Sequence, residues 1–287
     1  MTGTSRRDFL KNTCAAAAAA CLGAPRLNAA TLEMPLGVQL YSVRDLLPKD
    51  FDGTLHKLSS IGYKVVEAAG FFNKTAAQWK QSMDAAGLRC ISSHHALADL
   101  TSKFDEILEY AHGIGLEYII CSWAGMHRDP KKKGELDLDD WHWTADQFNE
   151  MGRKIKSAGI TFGYHNHTVE FGKENGTLFF DELLKRTDPN YVVFEMDCGW
   201  VVGGGADPVK YLRQSPERFP LAHVKDLVKE PDGKFKNVIM GKGTIDYKPI
   251  FKAATGLKQY FIEQEEYTFN PIEDLRQDAE FMRKLDV

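Results

Sequence analysis

The sequence is poor in the features that staple a small secreted scaffold. Five cysteines are spread over 287 residues. Cys14 and Cys21 lie in an N-terminal leader, and Cys90, Cys121 and Cys198 remain, an odd number with no short pairing motif. Each of the three stands in or beside an apolar run, so they read as buried free thiols and no disulfide framework is indicated. A glycine-rich phosphate loop is also missing after the first apolar run, which weighs against a dinucleotide-binding open sheet. Gly203-Gly-Gly205 lacks the fingerprint spacing and reads as a flexible loop. There is no surplus of basic charge. The formal net charge is -4, and residues 1–30 hold Arg6, Arg7, Lys11 and Arg26 against Asp8, so residues 31–287 are more acidic still. That balance excludes nucleic acid as the expected partner. No interior linker, low-complexity tract or bilayer-length apolar run lies beyond the leader, so one domain is expected over residues 31–287 and no membrane span.

What is present begins with the leader. Ser5-Arg-Arg-Asp-Phe-Leu-Lys11 precedes the apolar run Cys14 to Leu22, and small residues stand at Asn28-Ala-Ala30. A charged region, a short apolar region and small residues make an export signal. The twin arginines with Phe-Leu-Lys after them resemble the bacterial twin-arginine signal, a route for folded proteins. Residues 1–30 are expected to be removed near Ala30 and the protein to be periplasmic, with lipidation at Cys21 the alternative.

From Leu36 a unit recurs: apolar strand, polar loop, amphipathic helix, glycine, next strand. Gly62, Gly87, Gly115, Gly159 and Gly256 punctuate helix to strand, where a left-handed residue closes a helix. Eight strands are predicted at Leu36–Val43, Tyr63–Glu67, Leu88–His94, Tyr118–Trp123, Ile160–His167, Tyr191–Asp197, Phe219–Lys225 and Tyr260–Glu265. Helical patterns include Thr75 to Ala86, Phe104 to His112, Trp143 to Ala158 and Ile272 to Leu285. Continuous apolar strands are buried on both faces. The predicted fold is α/β, a single (β/α)8 TIM barrel, with a doubly wound open sheet as the alternative. Ala124 to Asp140, with Lys131-Lys-Lys133, reads as a solvated loop; a lid or an oligomer contact is the alternative, and homo-oligomerisation is left open.

Polar residues gather at the ends of these strands. His165 and His167 are two apart and share a face, with Tyr164 and Asn166 opposite. In strand order the candidates are Gln39, Tyr41, Glu67, His94, Trp123, His165, His167, Asp197, His223, Lys225, Glu263 and Glu265. Burying so many imidazoles and carboxylates costs several kcal/mol each unless a cation or mutual pairing compensates. Mixed imidazole and carboxylate ligands without cysteine suit one exchangeable Mn²⁺, Zn²⁺ or Co²⁺. Such an ion polarises a carbonyl and steadies an enediolate.

Several stretches together resemble the sugar isomerase/epimerase branch of the xylose-isomerase-like TIM barrel superfamily. They are Gly37-Val-Gln-Leu-Tyr-Ser-Val-Arg-Asp45, His165-Asn-His167, Met196-Asp-Cys-Gly-Trp200, His223-Val-Lys-Asp226, Gly241-Lys-Gly-Thr-Ile-Asp246 and Glu263-Gln264. The resemblance implies metal ligands at Asp197, His223 and Glu263, with His165 replacing the usual fifth-strand glutamate and Glu67 as a further candidate. The lost carboxylate lowers the negative charge of the shell, favouring Zn²⁺, Co²⁺ or Mn²⁺ over Mg²⁺. It also implies a small carbohydrate substrate. His167 or Glu263 would take the proton beside the carbonyl, and Lys225 or Glu265 would steady charge or return a proton. Gln39, Tyr41, His94, Trp123, Trp200 and Glu265 would bind substrate, with Tyr41, Trp123 and Trp200 stacking on the sugar. Glu170 is placed to fix a histidine, while Asp226 and Asp246 orient loops or cap helices. The expected function is metal-dependent isomerisation or epimerisation. The alternative is a lyase or dehydratase acting on keto-sugars, inososes or keto-glycosides, and behind it stand a non-catalytic carbohydrate-binding barrel and an endonuclease IV-like nuclease. Trp200 stands where that nuclease carries a metal-binding histidine, which weakens the last reading.

Overall fold

The computed structural model describes residues 34–287. The expected export signal, residues 1–30, lies outside the described residues. Eight parallel strands close into a barrel: β1 Gly37–Gln39, β2 Val65–Ala68, β3 Arg89–Ala96, β4 Tyr118–Trp123, β5 Thr161–His165, β6 Val192–Asp197, β7 Leu221–Val224 and β8 Gln259–Ile262. Each strand pairs with its neighbour in sequence, and β1 pairs with β8 to close the ring. The strands are largely apolar, apart from the polar residues toward their C-terminal ends, because one face meets the barrel interior and the other the helices. Phe148, for example, projects from the helix Leu138–Ser157 onto Phe162 and Tyr164 of β5, with ring centroids 5.5 and 4.8 Å apart.

Several predicted bounds move, each for a local reason. The first run is a strand only to Gln39; Leu40–Val43 turns into a 3-10 helix, begun by the Gln39 side chain accepting from Tyr41 N at 3.1 Å. The apolar pattern runs on because Leu40 and Val43 are buried in that turn. β5 stops at His165, two residues early, where the Asn166 side chain exchanges hydrogen bonds with the backbone of Asp197 instead. The long helix starts at Leu138 rather than Trp143, because Asp137 and Asp140 form a capping box. The loop before it is clamped as well as solvated: Asp140 accepts from His127 Nδ1 at 2.8 Å, Lys132 Nζ at 2.9 Å and Arg128 N at 3.0 Å. Gly203-Gly-Gly205 is a helix end, not a flexible loop. Gly203 is the last residue of the helix Cys198–Gly203, and Gly204 packs on Phe171. Among the described residues, no helix is long and apolar enough to cross a membrane.

Gly62, Gly87 and Gly115 close their helices in the left-handed conformation. Gly256 serves differently. Its φ is not positive, and a Cβ there would lie 2.0 Å from the Pro216 carbonyl oxygen. Gly87 has φ +67 and open space around it. Ala at position 87 therefore meets only the left-handed penalty, about 1 kcal/mol, whereas Ala at 256 must displace backbone, costing about 3 kcal/mol. Urea unfolding of Gly256→Ala and Gly87→Ala should rank them in that order.

Candidate active site

Inside the barrel Val65, Ile91, Tyr118, Ile120, Leu221 and Phe261 form a closed apolar floor. Side chains two residues on along a strand share that inward face. Val65 is thus succeeded by Glu67, Leu221 by His223, and Phe261 by Glu263, all buried. Register sets their heights: Gln39 pairs with Glu67, His165 with Glu195, and Asp197 with His223. The result is a layer of carboxylates and imidazoles stacked on hydrocarbon.

His223 stands at the centre. Its Nε2 lies 2.6 Å from Glu67 Oε2 and 3.2 Å from Glu195 Oε2, and its Nδ1 lies 3.1 Å from Glu263 Oε2. His94 stacks on it, ring centroids 5.2 Å apart and planes within 8°, and reaches Glu195 at 2.7 Å and Glu67 at 3.0 Å. His165 Nδ1 meets Glu195 Oε2 at 3.1 Å. Lys225 is wholly buried, with Nζ 2.8 Å from Asp197 Oδ2, 2.6 Å from Glu263 Oε2 and in contact with Glu265. Its stem lies against Gly199, where a Cβ would come within 2.5 Å of Lys225 Cγ. This is one reason glycine stands after Asp197-Cys198.

The protonation states reflect the crowding. Burial alone would lower the pKa of His94, but Glu67 and Glu195 outweigh it and raise it to about 9. Burial is likewise outweighed at His223, which Glu195 and Glu263 raise well above the usual value. Burial lowers His165 well below its usual value, aided by the neighbouring imidazoles. It also lowers His167 to about 4, aided by the charge of Lys225. Burial raises Asp197 to about 6 against the pull of Lys225. At Glu195 the charges of His223 and His94 overcome burial and bring the carboxyl down to about 2.

Two sets of side chains present donor atoms all within 4.8 Å of one another: His94, His165, Glu195 and His223, and Asp197, His223 and Glu263. Opposed ligands of one ion sit about 4.2 Å apart at bond lengths near 2.1 Å, so either set needs only small adjustment. Two buried carboxylate oxygens support the fit. Glu195 Oε1 has no hydrogen-bond partner, and Asp197 Oδ2 meets only the Lys225 ammonium closely, at 2.8 Å. Asp197 uses Oδ1 to cap the next helix, accepting from Trp200 N at 2.8 Å, which leaves Oδ2 turned inward.

The candidates read from sequence divide into three groups. His94, His165, Asp197, His223, Lys225, Glu263 and Glu265 come together. Tyr41, Trp123 and His167 join His94, His165, Glu263 and Glu265 around a cavity of about 680 Å³. Gln39 and Glu67 lie beneath it, fully buried. Gln39, expected at the substrate, instead donates to Glu67 at 2.8 Å. Glu67, expected as a ligand, belongs to neither donor set, since Ser92, Gln39 and the two histidines take up its oxygens. Trp200, expected to stack on substrate, is not on the cavity wall; its Nε1 donates to Glu265 at 3.1 Å and Lys225 lies over its ring. Glu170 fixes His167 through its backbone N, at 2.8 Å, rather than through the imidazole. Asp226 accepts from Gly241 N, Gly243 N and Ile245 N, and Asp246 caps a helix, as loop-orienting residues do. Sequence reasoning misses Glu195 and Ser92. Glu195 is legible in principle, because the spacing that pairs His165 with His167 also pairs Glu195 with Asp197.

Behind Glu263, Gln264 donates to buried Asp278 at 2.8 Å, and Asp278 also accepts from Met240 N at 2.8 Å. Burial raises the Asp278 carboxyl from 3.8 to about 7. Its folded pKa lies above the unfolded one, so its contribution to stability is complete below about pH 4 and is lost as pH rises through 7. Relative to wild type, Asp278→Asn should therefore gain stability from pH 5 to pH 8, on the order of 1–3 kcal/mol. Urea unfolding at the two pH values measures this.

Known proteins resemble this chain in sequence and fold. An inosose dehydratase of Geobacillus kaustophilus strain HTA426 is 27% identical over 233 residues, covering 70% of this chain and 74% of the relative. A solved sugar phosphate isomerase/epimerase from Parabacteroides distasonis ATCC 8503 is 29% identical, with a TM-score of 0.72 over 90% of this chain and 98% of that one. A second such structure from the same organism is 27% identical, with a TM-score of 0.74 over 88% and 98%. Residues 55–285 match the xylose isomerase-like TIM barrel family. On that match and the barrel described above, the chain is an enzyme of the xylose isomerase-like TIM barrel family.

Proposed function

We propose that the protein is a divalent-metal-dependent lyase that removes water or an alcohol from a keto-sugar, inosose or keto-glycoside. The observation that carries this is one free base beside a cation-ready cluster. The His167 imidazole lines the cavity, is neutral at ordinary pH, and makes no hydrogen bond with the protein, its Nδ1 being buried without a partner. Glu263 and Glu265 are tied to Lys225, and His94 is protonated. Inverting a carbon needs a proton acceptor on one face and an acid aimed at the same carbon from the other, whereas elimination needs its acid at the departing oxygen. The relatives named inosose dehydratase, at 27% and 24% identity, point the same way.

Asp197, His223 and Glu263, with His165, would hold the ion; Glu195 would hold the imidazoles in place. When bound, a divalent ion supplies Lewis acidity toward a carbonyl oxygen and a neighbouring hydroxyl. His167 then accepts the proton from the carbon beside the carbonyl, and the electron pair left behind expels the oxygen on the next carbon. That oxygen takes its proton from the Lys225–Glu265 pair, whose carboxylate lines the cavity. Glu170 keeps His167 in register through its backbone. The twin-arginine leader makes this an exported, periplasmic activity.

A second reading, isomerisation or epimerisation, shares the first proton transfer and is favoured by the names of the two Parabacteroides structures. Metal-loaded protein incubated in D₂O with an inosose and with a 3-keto-glycoside separates the two. Release of water or an alcohol is expected. Deuterium at a carbon that keeps all its substituents would move the assignment to the second reading.

Elemental analysis should find stoichiometric metal in wild type and little in Asp197→Ala or His223→Ala. Glu195→Gln should weaken metal binding about 10- to 100-fold, as loss of an orienting partner does. Equal metal in all four proteins would sink the site.

A further inference from the structure

The catalytic cavity has a neighbour. A second cavity of about 750 Å³ lies under the loop between β4 and the helix Leu138–Ser157. The two share a wall. Trp123 lines both and is half exposed, standing edge-on to His167 with ring centroids 5.7 Å apart. Glu170, in the wall of the second cavity, accepts the hydrogen bond from His167 N. A substrate held for proton removal at His167 is thus one indole away from a second enclosed space.

The chemistry of the walls says what would enter. The second cavity carries Trp123, Trp141, Phe179, Leu136 and Val169, with Trp141 and Phe179 stacked at 5.9 Å. Flat indole and phenyl faces suit a planar apolar ring. Its one lining cation is Lys173, against Glu135, Asp137, Glu170 and Glu174. The helix N-terminus that borders it is already capped by Asp137. In the catalytic cavity the one lining lysine is Lys103, which is paired with Asp99 at 2.9 Å, and Glu106, Glu263 and Glu265 add further acid. On each wall acidic side chains outnumber the single lysine, which disfavours an anionic substrate such as a phosphate.

We infer that the substrate is an unphosphorylated glycoside of two parts: a sugar ring beside His167, and an apolar, aromatic leaving group in the Trp123–Trp141–Phe179 cavity. This rests on the lyase reading and specifies which alcohol is expelled.

Calorimetric titration of the metal-loaded protein tests it with three probes: methyl β-D-glucopyranoside, phenyl β-D-glucopyranoside and glucose 6-phosphate. The phenyl glycoside should bind at least tenfold more tightly than the methyl one, and glucose 6-phosphate no more tightly than the methyl one. Val169→Trp, a bulky change at an exposed residue of the second cavity, should abolish the phenyl advantage. It should leave the methyl affinity unchanged, which also shows that the variant is folded. Equal affinity for the two glycosides, a preference for the phosphate, or equal losses in Val169→Trp would overturn the inference. Phenyl preference without release of phenol from the 3-keto form would remove the lyase reading and the leaving-group role, and keep only the two-part binding site. If no glycoside binds at all, both fall.

Discussion

The mouth of this barrel depends on neutralising carboxylates in a space that water does not reach. Glu67, Glu195 and Asp197 have no exposed surface, Glu263 has little, and Glu265 sits just above them. Against these stand one buried lysine and a set of imidazoles. A lone buried charge costs several kcal/mol, so the cluster survives by drawing in positive charge wherever it can. Lys225 threads to the gap between Asp197 and Glu263, and His94 and His223 take up protons. A divalent cation carries the charge of two such protons. The same demand for positive charge that favours protonated histidines would also favour a metal ion at the cluster that could hold one.

The apolar floor sharpens that demand. Six hydrocarbon side chains close the barrel beneath the polar layer, so the carboxylates cannot relax toward solvent from below. They relax toward each other and toward the cavity above. This is why Gln39, Ser92 and Glu67 form a hydrogen-bonded base under the imidazoles, fixing the height and rotation of His223 and His94 before any ion arrives.

How much of this is legible in the chain depends on what periodicity encodes. Alternation along a strand tells which side chains point inward, so His165 with His167, and Leu221 with His223, are visible as pairs. It does not tell how high each stands in the barrel, because that is set by register between strands. Periodicity therefore puts Gln39 and Glu67 at the substrate and the metal, whereas in the folded barrel both are fully buried, bonded to one another and off the cavity wall. Trp200 escapes its expected place for a related reason. Asp197 caps the helix Cys198–Gly203, and that turn carries the indole behind Glu265 rather than over the cavity. The clamp of His127 and Lys132 on Asp140 leaves no periodic trace, since it joins loop residues to a helix start through side chains alone. The eight-unit repeat is legible because it is written in both glycine punctuation and apolar run length.

What decides among the reactions open to such a scaffold is the traffic of the second proton. Once a proton has left the carbon beside a carbonyl, the electron pair can be reprotonated or can expel a neighbouring oxygen. Reprotonation from the opposite face requires an acid across the ring from His167. Around the cavity Asp99 holds Lys103 and His95 bonds Ser93, so the Lys225–Glu265 pair is the acid proposed for the second proton. Expulsion asks less, only that the leaving oxygen meet positive charge and that its organic part have somewhere to go. Lys225 fixes charge against Glu265 on the cavity side, and on the proposed reading the space beyond Trp123 would receive what departs. The proposed elimination and the rival inversion thus part at one step, the delivery of the second proton.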